Sequence, residues 1–308
     1  MMAGPAKTGW RPFFAVYSTF LQRAFDQCFQ EVSLQGLAVR LCLDRAGLVG
    51  GDGAVHHGFC DISLLACLPK ACLLAAMDEP SLREALRFMA GYDAGLSAVR
   101  YPRDNVSSLF ADQPCPPFVP GKARALCTHA TPDVAVLGYG VMAIEAMKAL
   151  EHLHTVAPDA PAGRDKGHGR GANGAASTHA SSTLGEGRSE YKVSVYDARF
   201  AKPVDIDLLK DLLGRGIPVI TVEDHSIRGG FGACVLEACN ENQLDGRLVT
   251  RMGLPDSWIY QGERGEQMLE AGIDAASIAR TIRTVLDRPH AGASKPAAKP
   301  MRGAAART

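Results

Sequence analysis

The chain has 308 residues, 46% hydrophobic and 21% charged, an ordinary globular balance with enough length for two cores. Lysine plus arginine equals aspartate plus glutamate at 33 each, and the arginines form no basic stripe, so neither nucleic acid nor an acidic membrane surface is the expected partner. No run approaches the roughly 20 apolar residues that cross a bilayer, and residues 1–12 hold no apolar core of signal-peptide type, so a cytoplasmic location is expected. The 9 cysteines include no Cys-x-x-Cys pair, and Cys42, Cys67, Cys72, Cys234 and Cys239 lie in apolar runs. Buried, reduced thiols follow, rather than disulfides or a zinc site.

Strand and helix patterns alternate along the chain. Residues 13–17 read as a strand, and residues 19–35 as an amphipathic helix with Phe20, Leu21, Ala24, Phe25, Cys28 and Val32 on one side. Residues 39–43 form the second predicted strand, followed by a glycine-rich loop to Gly58. Residues 71–77 are the third. Pro80 then sits where the first turn of a helix tolerates it, ahead of helix 82–90 and a fourth strand at 97–101. Residues 112–121 carry four prolines and read as a linker between domains. A second unit starts with a strand at 133–138 and a helix at 141–152, with further strands at 192–196, 219–222 and 248–252. Its remaining helices are expected at 206–213, 231–240, 265–270 and 275–287. This alternation predicts an α/β protein with mostly parallel sheets. Residues 158–190 are a low-complexity insertion whose His168 and His179 offer metal ligands but read better as solvated low complexity, and residues 288–308 an Ala/Lys/Pro tail expected to be disordered.

Chemistry concentrates in the loop Asp44-Arg45-Ala46-Gly47-Leu48-Val49-Gly50-Gly51-Asp52-Gly53-Ala54-Val55-His56-His57-Gly58. It leaves the end of a predicted strand, where ligand sites of α/β sheets gather. Its glycines permit close backbone approach, and it presents arginine, carboxylate and imidazole within short reach. Read alone, it is equally well a surface loop with incidental charges.

Together with Tyr17-Ser18-Thr19-Phe20-Leu21-Gln22-Arg23-Ala24 and Ala98-Val99-Arg100-Tyr101-Pro102-Arg103-Asp104-Asn105, that loop closely resembles the pyrimidine-binding domain of 1-deoxy-D-xylulose-5-phosphate synthases. Asp197-Ala198-Arg199-Phe200-Ala201-Lys202-Pro203, Glu223-Asp224-His225-Ser226-Ile227-Arg228-Gly229-Gly230 and Gly253-Leu254-Pro255-Asp256 are similar to the C-terminal domain of the same transketolase-like family. The resemblance implies a truncated pyrimidine-binding domain over residues 1–110, a linker at 111–125 and a transketolase C-terminal domain at 126–287.

The activity it implies joins pyruvate, after loss of carbon dioxide, to the aldehyde of glyceraldehyde 3-phosphate, a step that feeds isoprenoid, thiamine and pyridoxal biosynthesis. The implied cofactors are thiamine diphosphate and Mg2+. Tyr17, Phe20 and Arg23 match the family's cofactor-pocket and substrate-side positions, and Arg45 and Arg103 match the arginines that receive the acceptor's phosphate. Asp52 and His56 match the acid and histidine beside the acceptor's hydroxyl and aldehyde. His57 stands where the family usually has glutamine. Arg100 reads as a structural ion-pair partner, and Glu223-Asp224-His225 as packing rather than catalysis.

Two family features have no match. One is the glutamate of a Glu-Gln-His motif that contacts the pyrimidine ring, and the other is the asparagine that completes a Gly-Asp-Gly metal and diphosphate site, since the first asparagine after Gly51-Asp52-Gly53 is Asn105. The sequence therefore predicts a C-terminal half that is inactive alone, and a homodimer or association with a chain carrying the other half. Other implied readings are a β-type subunit of a 2-oxo-acid dehydrogenase, a split transketolase, or a non-catalytic paralogue serving as a binding module.

Overall fold

The computed structural model describes residues 1–155 and 191–288; the low-complexity insertion, with His168 and His179, and almost all of the C-terminal tail lie outside the described residues. A short helix α1 (Ala3–Lys7) precedes β1 (Phe13–Tyr17). The predicted amphipathic helix then forms as three differently wound pieces, a 3-10 turn at Ser18–Ala24, α2 (Phe25–Gln27) and a π-helical turn at Cys28–Ser33. Leu21, Cys28 and Val32 face the core as expected, but Phe20 and Phe29 point outward.

Next come β2 (Arg40–Asp44), α3 (Asp61–Leu65), β3 (Cys72–Ala75), α4 (Glu79–Gly91) and β4 (Ser97–Arg100). Asp78 caps α4 by accepting the Ser81 N–H at 2.8 Å, and Pro80 sits in its first turn. The second unit contains β5 (Arg124–Cys127), β6 (Val134–Gly138), α5 (Met142–Thr155), β7 (Val193–Asp197), β8 (Phe200–Lys202) and α6 (Ile206–Gly214). It continues with β9 (Val219–Ser226), α7 (Phe231–Glu241), β10 (Val249–Leu254), α8 (Arg264–Ala271) and α9 (Ala275–Leu286).

The strands form two five-stranded sheets, ordered β1-β2-β4-β3-β8 and β10-β9-β6-β7-β5. Pairing is parallel except for β3 with β8 and β7 with β5, at one edge of each sheet. The chain crosses between the units: β8 comes from beyond the proline-rich stretch, yet Lys202 and Phe200 pair with Leu73 and Leu74 of the first sheet. One apolar core accordingly runs through both units, with Leu41, Leu43 and Leu73 clustering with Leu137, Leu209 and Phe231. At the opposite edge β1 is unpaired on one side among the described residues, beside exposed Trp10 and Phe13.

All 9 cysteines are free thiols, and burial pushes Cys28 to about 11 and Cys72 to about 12. Among the described residues no helix is long and apolar enough to cross a membrane.

Candidate active site

The carboxyl ends of β1, β2 and β4 lie side by side in the first sheet, so the segments leaving them share one rim. Tyr17 ends β1, Arg45 follows β2, and Arg103 lies just beyond β4. The Tyr17 and Phe20 rings stack with centroids 5.6 Å apart and planes inclined by 11°. The Arg45 guanidinium lies 3.9 Å from the Tyr17 ring centroid, and that of Arg23 lies 5.8 Å from Phe20. His56 meets Phe20 edge to face at 5.9 Å. Asp52 Oδ2 sits between two cations, 3.7 Å from Arg45 Nε and 3.6 Å from Arg103 Nε. The side chains singled out in the sequence thus converge on one surface. It is open rather than enclosed, since Phe20 is 39% exposed and the adjoining Val55 is 78% exposed.

The loop geometry explains the convergence. Arg45 has φ +54°, a left-handed conformation that costs a non-glycine residue energy, and Asp44 holds it by accepting both its backbone N–H and its guanidinium. Gly47 and Gly58 close the loop through reciprocal backbone bonds of 2.8 and 2.9 Å. A Cβ on Gly47 would lie 2.2 Å from the Asp224 carboxylate, so only glycine fits there.

The two adjacent histidines have different surroundings. His57 is buried: its Nδ1 accepts the Val49 N–H at 3.3 Å and its Nε2–H donates to the Ile259 carbonyl at 3.1 Å. Desolvation holds His57 below the usual imidazole value, so it serves as a neutral pin in the loop. The His56 Nδ1–H donates to the Asp52 carbonyl at 3.0 Å, which leaves Nε2 as the nitrogen able to exchange a proton. Among the described residues two donors on the rim are also unspent, because Arg45 Nε is buried without a hydrogen-bond acceptor and the Arg103 guanidinium donates only to the Val49 carbonyl, at 3.3 Å. Ser18 Oγ, buried beside Tyr17, likewise has no partner.

Beneath the rim lies a buried charge network that joins Arg100 and the Glu223-Asp224-His225 run, both singled out in the sequence, to Asp61, which was not. Arg100 Nε donates to Asp61 at 2.9 Å, and its Nη2 donates to the carbonyls of Gly58 and Asp224. Glu223 accepts the Phe231 and Gly232 N–H groups at the start of α7, although burial still pushes its carboxyl up to about 7. His225 accepts the Ile62 N–H on Nε2 and donates Nδ1–H to the Ser226 carbonyl, an arrangement that only the neutral ring satisfies. Desolvation lowers its pKa from 6.5 to about 4.

The sign of the His225 effect follows from linkage. A depressed histidine pKa means that the unfolded chain binds a proton which the folded chain refuses, so the stability it confers is present above about 6.5 and is lost as pH falls toward 4. His225→Gln keeps an acceptor and a donor without a titrating group. The wild type is expected to lose stability relative to this variant by on the order of 3 kcal/mol between pH about 7 and about 4. Glu223 and the buried Asp197, both raised to about 7, drift the opposite way in both proteins, so the difference between wild type and variant is the quantity to follow. Urea unfolding across that pH range is the test, and a constant stability difference would refute the assignment.

Two half-open clefts lie near the rim. One, of about 240 Å³, separates α4 from α5 and is lined in part by Asp104 and Arg264. The other, of about 260 Å³, lies under His57, Leu48 and Trp258. Among the described residues no group of three or more metal-ligating side chains occurs.

Comparison with known proteins gives two family matches: the transketolase pyrimidine binding domain over residues 1–108 and the transketolase C-terminal domain over residues 173–278. The chain is 38% identical over 284 residues to 1-deoxy-D-xylulose-5-phosphate synthase 1 of Geobacter metallireducens, covering 92% of this chain and 40% of the relative. It is 37% identical to 1-deoxy-D-xylulose-5-phosphate synthase of Synechococcus sp., covering 38% of that relative. The chain therefore spans about two fifths of the length of these curated relatives. Among solved structures, a split gene transketolase in an inactive β4 tetramer superposes with TM-score 0.72 at 23% identity, over 92% of this chain and 79% of that one. Transketolase from Leishmania mexicana superposes with TM-score 0.62 at 14% identity, over 90% of this chain and 34% of that one.

These matches correct one expectation. The sequence predicts a C-terminal half with a truncated pyrimidine-binding domain, whereas that domain is present, matched over residues 1–108. Lack of a Glu-Gln-His motif does not shorten the domain, because β1 to β4 within residues 13–100 build its parallel core and β8 extends the sheet.

Proposed function

Because the chain belongs to the transketolase superfamily of thiamine-diphosphate transferases, we propose that it is one polypeptide of a divided enzyme that joins a two-carbon unit to a phosphorylated aldehyde. The observation that carries this reading is the convergence of Arg45, Asp52 and Arg103, with Arg45 Nε unspent, beside the stacked Tyr17 and Phe20 rings. A phosphate ester suits paired guanidinium groups, whose planar donors match its oxygens. Arg45 and Arg103 bind that phosphate, Asp52 orients the acceptor's hydroxyl, and His56 Nε2 delivers a proton to its carbonyl oxygen as this becomes a hydroxyl.

The flat face of Tyr17 and Phe20 fits an aminopyrimidine ring, with Arg23 at its edge. When bound, thiamine diphosphate supplies the decarboxylation and carbon–carbon bond chemistry. Asp52 is already engaged by two guanidinium groups, so the Gly51-Asp52-Gly53 turn belongs to the acceptor side, and Mg2+ and the diphosphate would be held by residues other than this turn.

Association with a further polypeptide is supported by the likeness of the fold to a split gene transketolase tetramer. The donor is pyruvate and the acceptor glyceraldehyde 3-phosphate, because the rim residues are those of the synthase loop. The assembled enzyme is expected to release carbon dioxide from carboxyl-labelled pyruvate only when glyceraldehyde 3-phosphate is present, with 1-deoxyxylulose 5-phosphate as product. Transfer of a ketol unit from xylulose 5-phosphate, with no turnover of pyruvate, would establish a split transketolase in its place.

A further inference from the structure

The loop carrying Arg45, Asp52 and His56 is held from the second unit as well as the first. Leu48 N–H donates to Asp224 Oδ1 at 2.9 Å, and Gly50 N–H donates to Gln267 Oε1 at 2.9 Å. Gln267 Nε2 donates back to the Gly50 carbonyl at 3.1 Å and to the Tyr260 carbonyl at 2.8 Å. Arg264 joins three separate segments: Nε donates to the Leu48 carbonyl at 3.1 Å, Nη2 to Asp224 Oδ2 at 2.7 Å, and Nη1 to Asp104 Oδ2 at 2.7 Å.

Asp104 directly follows Arg103. One guanidinium therefore ties the loop of Arg45 and the loop of Arg103 to a single carboxylate at the end of β9. The side chain of Asp224 is 2% exposed and that of Arg264 14%, so these bonds form where water competes poorly and charge-assisted pairs are strong. The backbone of Gly50 is satisfied in both directions by one buried amide, a contact that fixes position rather than adding apolar burial.

We propose that Asp224, Arg264 and Gln267 are positioning residues that set the separation of the Arg45 and Arg103 guanidinium groups for the acceptor's phosphate. The proposal rests on the reading of that phosphate site given above. None of the three needs to touch the acceptor, since each acts through the backbone of residues 48–50 or through Asp104.

The test uses the full chain, with hydrogen exchange and glycerol 3-phosphate binding measured together. Gln267→Leu and Arg264→Met are expected to speed exchange of the Leu48 and Gly50 amides at least tenfold and to weaken glycerol 3-phosphate about tenfold. Arg264→Lys should recover part of both losses. Val235→Ala, in the core of α7 and away from the loop, serves as a control that lowers Tm without touching the clamp. Loop exchange and affinity equal to wild type in the Arg264 and Gln267 variants would overturn the proposal. So would an affinity loss matched by Val235→Ala at equal Tm. A wild type that fails to bind glycerol 3-phosphate would instead remove the phosphate-site reading, and the positioning role would fall with it.

Discussion

Replacing Arg100 by methionine is expected to destabilise the fold by about 3–5 kcal/mol, the range found when one partner of a buried ion pair is removed. The side chains of Arg100 and Asp61 are 6% and 1% exposed and lie 2.9 Å apart. Methionine fills a similar volume but leaves the Asp61 carboxylate in low dielectric without its counter-charge. It also frees the carbonyls of Gly58 and Asp224, one from each unit, so a loss of docking between the units accompanies the loss of the ion pair. Adding Asp61→Asn to the same chain should restore part of the loss, because the uncompensated charge disappears with it. Urea unfolding at neutral pH measures the effect. A loss under about 1 kcal/mol would mean that water reaches Asp61 and that the pair behaves as a surface contact.

The same residue shows where sequence reading succeeds and where it stops. Arg100 reads as an ion-pair residue from its place in the Ala98-Val99-Arg100-Tyr101-Pro102-Arg103 run, but its partner Asp61 lies 39 residues away with no local signal. Helix and strand positions were largely legible because their burial follows local periods, as in α9, where Ile278, Ile282 and Val285 line one buried stripe. The three-residue strand β8 was not, since its pairing with β3 is decided by tertiary docking rather than by its own pattern. Phe20 looked like one more core position of an amphipathic helix; the tight 3-10 winding turns it outward against Tyr17 and His56. The rim residues could be named because they sit in short contiguous motifs. The clamp made by Asp224, Arg264 and Gln267 could not, although Asp224 stands in a quoted motif, because its hydrogen bonds to the two rim loops span 160 to 217 residues.

Charge at the rim gives the second large prediction, and it has two signs. Arg103 is the more exposed of the two guanidinium groups, at 50% against 24% for Arg45, and its main contact besides the Val49 carbonyl is Asp52. If it receives a phosphate, Arg103→Ala removes charge-assisted bonds amounting to about 2.0–2.7 kcal/mol, which weakens a phosphate ester roughly 30- to 100-fold. Asp52→Asn acts oppositely on the phosphate itself. Its carboxylate lies within 3.7 Å of both guanidinium groups and partly neutralises them, so its removal leaves a stronger anion site while eliminating the oriented acid that turnover needs. A structural salt-bridge cluster with no ligand would respond to both substitutions with lost stability alone.

Calorimetric titration of glycerol 3-phosphate, an acceptor analogue that lacks the reactive aldehyde, into wild type, Arg103→Ala and Asp52→Asn is therefore the most direct measurement. Binding by the wild type, a 30- to 100-fold weaker Kd in Arg103→Ala and a severalfold tighter Kd in Asp52→Asn are expected. Equal affinity in all three proteins, or no binding in any, would contradict a phosphate site at Arg45, Asp52 and Arg103.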